Sequence, residues 1–240
     1  MHQFTIMTCN VGNGRARPER LTPVLRDSRA DLIGLQELSA EQAGAISQDL
    51  ADEYPYQVLF PGGFAGKALI SRYPITSHEQ LHLSKVRPDL KTTIDLDGCR
   101  VTLLVAHPPP PHPQWSGVRF DADTWRQINS LARTAVDDPP AVLLGDFNLA
   151  DWRGEYKHLR SLGLKDAFQE GGMKRGYTLP KRIGPWKRFL WLNRLLSGLP
   201  LYPVLRVDYI WFTPPIQCQQ AWVGQDTGSD HLPVLARLMI

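Results

Sequence analysis

The chain has 240 residues, 42% hydrophobic and 21% charged, enough to bury a sizeable core as one large domain or two small ones. Its formal charge of +3 is a mild basic bias that suits an anionic substrate but is too small to establish nucleic-acid binding. Cys9, Cys99 and Cys218 are odd in number, far apart and without C-x-x-C spacing, which argues against a disulfide frame or a zinc site.

Met1-His2-Gln3 leads straight into a strand pattern with no charged-then-apolar leader, and no uncharged run is long enough to span a bilayer. A soluble cytoplasmic protein is expected. In chain order the patterning predicts strand 3–10, helix 18–29, strand 31–37 and helix 40–51. A strand-rich block follows near 56–60, 67–72, 76–83, 90–97 and 100–107, with Asp97-Gly98 as a two-residue hairpin signal. Residues 118–136 carry apolar groups at helical spacing (Val118, Trp125, Ile128, Leu131, Ala132, Ala135). Strand 141–146, helix 154–162 and strands 206–213, 219–224 and 232–239 complete the pattern. The continuously apolar runs 101–106 and 141–144 read as strands covered on both faces, so two packed sheets with helices outside are expected.

Two stretches stand apart. His107 is followed by four prolines, a stiff exit from a strand. Residues 183–205 mix Trp, Phe and Leu with Lys and Arg. They are too short and too charged to span a membrane, and are compatible with a lid, a base-stacking surface or a membrane-surface loop.

Polar groups flank the apolar runs: Asn10, Glu37 and Asp146 with Asn148 follow them, Asp208 sits in Arg206-Val207-Asp208-Tyr209-Ile210-Trp211, and Asp230-His231 precedes Leu232-Pro233-Val234. Carboxylates and amides without partner thiols favour a hard cation, Mg2+ or Mn2+. Glu37 is the prime ligand candidate, because a carboxylate ending an apolar strand is costly to desolvate unless a cation or donor meets it. Asp146 and Asn148 have alternate spacing, so extended backbone would point both into one cleft; an Asx-turn is the structural alternative.

C-N-V-G (9–12), G-L-Q-E-L (34–38), A-L-I-S-R-Y-P-I (68–75), V-A-H-P (105–108), L-L-G-D-F-N (143–148), R-V-D-Y-I (206–210) and G-S-D-H-L-P-V (228–234) follow one another in this order. Together they resemble the endonuclease/exonuclease/phosphatase superfamily, which includes pancreatic deoxyribonuclease, abasic-site endonucleases, neutral sphingomyelinases and inositol polyphosphate 5-phosphatases. The resemblance spans nearly the whole chain and implies one domain over 1–240. The fold it implies is a four-layer α/β sandwich, two packed mixed β-sheets flanked by helices and arranged pseudo-symmetrically.

It also implies roles. Glu37 would bind Mg2+, with Asp230 assisting directly or through water, and Asn10 would orient metal and phosphate. Asp146 would orient water as a base, or hold a second metal; Asn148 would donate to phosphate. His231 would face the phosphate, backed by Asp208. His107 matches the second histidine of the deoxyribonuclease-like branch, whose supporting glutamate has no counterpart here: the equivalent positions are Gly66-Lys67. Lys67 either contacts phosphate or is a solvated strand residue. Gly12 stands where abasic-site nucleases carry an aspartate, so abasic recognition is not expected. The function implied is Mg2+-dependent phosphoester hydrolysis, nuclease-like on DNA or RNA. The alternatives are a sphingomyelinase-like activity with peripheral membrane contact through 183–205, and an inactive scaffold. No obligate protein partner is evident.

Overall fold

The computed structural model describes residues 2–114, 117–172, 176–182 and 199–240. Its core is two six-stranded sheets packed face to face. Sheet one contains β1 (Gln3–Asn10), β2 (Leu32–Gln36), β3 (Tyr56–Phe60), β4 (Lys67–Ser71), β13 (Gln217–Val223) and β14 (Val234–Met239), in the order β13-β14-β1-β2-β4-β3. Sheet two contains β5 (Ile75–Leu81), β6 (Asp89–Leu96), β7 (Cys99–Ala106), β10 (Ala141–Asp146), β11 (Lys165–Asp166) and β12 (Asp208–Phe212), in the order β11-β12-β10-β7-β6-β5. Each sheet has one parallel pair at its centre, β1 with β2 and β10 with β7, and antiparallel neighbours on both sides. The two halves therefore share one pattern of strand directions.

Neighbouring side chains on a strand serve different layers. Ile6, Leu32, Val142 and Leu144 pack between the sheets. Met7 and Ile33 instead pack beneath α1 (Pro18–Asp27) and α2 (Ala40–Asp49). Leu143 packs beneath α3 (Ala122–Asp137) and α4 (Gly154–Ser161). Both faces of the central strands are thus covered, which is why their sequences read as unbroken apolar runs. The result is the four-layer sandwich expected. Gly34 lets the sheets approach closely: a Cβ there would lie 2.3 Å from Leu144 Cδ1. Gly145 has φ +145°, and a Cβ on it would fall 1.9 Å from the Ala106 carbonyl oxygen of β7.

Local signals explain most boundaries. Ser39 and Gln42 form a capping box that starts α2. Asp97 and Gly98 both take positive φ, as the hairpin between β6 and β7 requires. Several elements start or stop about two residues from their expected bounds, and α3 differs most, beginning at Ala122 and not 118. Residues Gly117–Arg119 form strand β9, paired with β8 (His112–Gln114), and Asp121 caps α3 by accepting from Thr124 N at 2.7 Å. Val118 is half-exposed on that hairpin and contributes nothing to the helix face. The short α5 (Ala167–Gly171), started by the Asp166 cap, also had no clear periodic signal. Of the segment 183–205, residues 183–198 lie outside the described residues. No helix among the described residues is long and apolar enough to cross a membrane.

Topology places the polar clusters together. Strands β1, β2, β7 and β10 end at one edge of the sandwich; β12 and β14, antiparallel to β10 and β1, begin there. Asn10, Glu37, His107, Asp146, Asp208 and the 229–231 turn all fall at that edge. Six stretches distant in sequence meet in one cleft.

Candidate active site

Asp146 is the hub. Its Oδ2 accepts from Asn10 Nδ2 at 3.0 Å, a bond that crosses from sheet one to sheet two, and its Oδ1 accepts from Asn148 N at 2.9 Å. The ring nitrogens His107 Nε2 and His231 Nε2 lie 3.4 and 3.7 Å from Asp146 Oδ2. The second bond is the Asx-turn geometry that ends β10. Asn148 itself has φ +50°, and its Nδ2 donates to the Pro108 carbonyl at 3.1 Å, tying the loop after β10 to the proline run after β7.

On the other ring nitrogen, His231 Nδ1 is 2.9 Å from Asp208 Oδ2, and both side chains are almost wholly buried. Burial alone would drive the His231 proton off; the carboxylates of Asp208 and Asp146 outweigh it and raise the imidazolium to about 10. Burial likewise works against the Asp146 charge, but His231 and the bond from His107 hold its carboxyl well below the usual range. His107, enclosed and lacking so strong a partner, is lowered by burial to about 4 and is neutral at pH 7. The two histidines are therefore differentiated: one carries a proton, the other does not.

The raised value for His231 has a thermodynamic consequence. Its stabilisation is fully present below the unfolded value near 6.5 and is lost as pH rises through about 10. In EDTA, the melting-temperature advantage of the native chain over His231→Gln should shrink steadily between pH 6.5 and 10. An advantage that stays constant or grows over that range would contradict the protonated imidazole.

Glu37 follows β2 with φ +57°, a conformation uncommon outside glycine and a form of local strain that tends to occur at functional sites. Its carboxylate is mostly buried, 3.6 Å from His107 Nε2. Burial raises its pKa, a hydrogen bond from Asn10 lowers it, and Asp146 raises it further. The His231 charge opposes Asp146 and burial, which remain the larger influences on Glu37. Oxygen donors from Glu37, Asn10 and Asp146 suit a small divalent cation. Atoms of Asp146, Asp208 and His231 also lie within 4.8 Å of one another. There, however, a protonated imidazole whose Nδ1 is engaged by Asp208 makes a poor ligand, because binding must first displace that proton.

Two residues singled out from sequence stand apart from the hub. The Asp230 carboxylate pairs with Arg15 and accepts from Ser229 Oγ at 3.4 Å. Lys67 is almost fully buried, and its ammonium donates to the carbonyls of Ala65 and Pro88 at 3.2 and 2.8 Å. Burial lowers its pKa to about 8, partly opposed by Asp89. Sequence reasoning missed Asp89, Arg87, Gln127 and Arg15. Asp89, buried, accepts from the His107 backbone N–H at 3.3 Å and from Gln127 Nε2 at 2.7 Å. It is the acid that supports the His107 strand end, through the main chain and not the ring.

The profile of the Endonuclease/Exonuclease/phosphatase family matches residues 7–231. The chain belongs to that family. Other endonuclease/exonuclease/phosphatase proteins share its fold over nearly the full length. One from Leptotrichia buccalis C-1013-b is 18% identical with a TM-score of 0.73, covering 99% of this chain and 100% of that one. TDP2 of D. rerio, complexed with single strand DNA product, is 17% identical with a TM-score of 0.75, covering 99% of each chain. The uncharacterized protein YbhP of Escherichia coli K12 is 24% identical, covering 98% of this chain and 96% of that protein. Family members are generally metal-dependent phosphoester hydrolases, and the cluster of acids and histidines in the cleft accords with that.

Proposed function

We propose that this chain, acting as one domain over 1–240, is a Mg2+- or Mn2+-dependent phosphodiesterase that hydrolyses nucleic-acid phosphodiester bonds. The observation that carries it is the placement of Asp146 between His107 and His231, with Glu37, held at φ +57°, 3.6 Å from His107 Nε2. Glu37, with Asn10, would hold the cation, and Asp230 would assist if its pairing with Arg15 relaxes. When bound, the ion would neutralise charge developing on the phosphate. The chain's own groups account for the rest. Asp146, ionised and fixed at both oxygens, orients water and draws its proton as the water oxygen attacks phosphorus. The His231 imidazolium donates to a phosphate oxygen, kept charged and oriented by Asp208 on its Nδ1. Asn148 has a second amide hydrogen beyond the one given to Pro108, available as a neutral donor. The P–O bond to the leaving group then breaks, and the departing oxygen takes up a proton.

The single-stranded DNA product bound by TDP2 supports a nucleic-acid substrate, and the three free cysteines support a cytoplasmic location. The decisive measurement is hydrolysis of bis-p-nitrophenyl phosphate, single-stranded oligonucleotide, plasmid DNA and sphingomyelin vesicles in Mg2+, Mn2+ or EDTA. Glu37→Ala should keep a native far-UV spectrum and lose about 100-fold or more of the metal-stimulated rate. Undiminished activity of that variant, or of the native chain in EDTA, would remove the metal assignment. Cleavage of vesicles but not oligonucleotide would replace the nuclease reading with the phospholipid one, and no cleavage at all would favour the inactive scaffold.

A further inference from the structure

Arg206, two residues before Asp208, is a buried guanidinium ringed by aromatic side chains. The centroids of Tyr209, Tyr156 and Phe168 lie 4.7, 5.7 and 5.7 Å from its central carbon. Its Nη1 donates to Asp166 Oδ2 at 2.6 Å and its Nη2 to Asp151 Oδ2 at 3.3 Å. Burial opposes the charge, and the buried Asp166 more than offsets it, holding the guanidinium above its usual pKa. That charge is therefore met without Asp151, whose side chain is 31% exposed in the loop between β10 and α4. A partly exposed pair adds little to stability. What the second contact fixes is geometry. The same loop is fastened twice more to residues around Asp208. Phe147 N donates to the Val207 carbonyl at 2.9 Å. Tyr209 Oη donates to the Leu149 carbonyl at 2.7 Å, with the Arg206 carbonyl a second acceptor at 3.0 Å. Asn148 lies between these ties, and Asp146, which opens the loop, pairs with Asp208 across β10 and β12.

We propose that Arg206 and Asp151 are positioning residues of the cleft: their contact locks the loop carrying Asn148 to the start of β12 carrying Asp208. Asp208 holds the His231 ring directly, so the lock keeps the Asn148 amide and the His231 imidazole at a fixed spacing across the phosphate. A loop free to shift against β12 would move one donor relative to the other, and a misplacement of about 1 Å costs roughly 100-fold in rate. The planar guanidinium reaches two carboxylates on different segments at once, which a lysine cannot do. The assignment rests on the phosphodiesterase reading for its kinetics, but not for its exchange measurement.

The test compares the native chain with Asp151→Asn, Asp151→Glu, Arg206→Lys and the Asp151→Asn/Arg206→Lys double variant. Kinetics on bis-p-nitrophenyl phosphate in Mg2+ are read beside amide hydrogen exchange at Phe147 and Asn148. Asp151→Asn leaves Asp166 to balance the guanidinium, so it should melt within about 4 °C of native. Its kcat should nevertheless fall about tenfold or more with KM changed less than about threefold, and exchange at both amides should quicken about tenfold. Asp151→Glu should recover part of kcat, which loss of stability alone would not explain. Arg206→Lys should lose a similar factor, and the double variant should lose no more than either single one, because all three break one contact. If Arg206→Lys folds poorly, the two Asp151 variants decide alone. Native kcat in Asp151→Asn, unchanged exchange, or single losses that multiply in the double variant would overturn the lock. A native chain that cleaves no diester, with exchange still quickened in Asp151→Asn, would overturn the functional reading and leave the lock standing.

Discussion

Asp146→Asn should lower phosphodiester turnover about 1,000-fold or more while leaving the chain folded. The carboxylate oxygens accept from Asn10 Nδ2 and Asn148 N, so an amide cannot satisfy both. Whichever way it turns, one N–H faces another. The change also removes the base and strips His231 of one of the two carboxylates that hold its proton. Two measurements check this: single-turnover rates at saturating substrate, and an NMR titration of the His231 ring, which should lose its proton at lower pH than in the native chain. A variant within tenfold of native turnover would mean that the water is oriented by some other group, His107 being the nearest.

Gly145→Ala should have the largest effect on the fold. The residue sits one position before the hub, at φ +145°, where L side chains are rarely found, and the added methyl would meet the Ala106 carbonyl far inside van der Waals contact. The neighbouring strands are buried beside this position, so β10 could yield only by parting from β7, whose parallel pairing is the centre of sheet two. A cost of about 3 kcal/mol or more is expected, or roughly 6–12 °C in melting temperature for a chain of this size. Whatever folded protein remains should be nearly inactive, because those two strands deliver Asp146 and His107 to the cleft. A melting temperature within 2 °C of native would show that the backbone can relax cheaply, in the sense of ~1 kcal/mol or less.

The strand ends were legible in the sequence because a polar residue closing an apolar run is a one-dimensional signal. Asn10, Glu37 and Asp146 close apolar runs, Asp208 and His231 stand where runs begin, and topology brings all five to one edge. The place of Arg87 beside His107 was not legible, since Val-Arg-Pro-Asp looks like any exposed turn until β6 is laid beside β7. The Arg15–Asp230 pairing is equally invisible, being set by how the loops after β1 and before β14 fold over the edge. In sequence Lys67 is compatible with a phosphate contact or a solvated strand residue. The chain instead covers it with the 84–89 turn and has it hold main chain. In α3 the helical spacing was real from Trp125 onward, but Val118 fell on the periodic face by coincidence, and only the Asp121 cap fixes the start.

Where the chain's first and last described strands meet has a practical side. His2 and Ile240 exchange backbone hydrogen bonds at 2.6 and 2.9 Å, and β1 runs from that point about 25 Å to Asn10. Any polypeptide joined before His2 or after Ile240 therefore departs from the pole opposite the cleft. An affinity handle, a surface tether or a fused binding module at either end would hold the molecule with its reactive face turned outward. The same proximity makes the ends natural ones to splice together, so a circularly permuted chain reopened in the exposed 82–86 turn should still close both sheets.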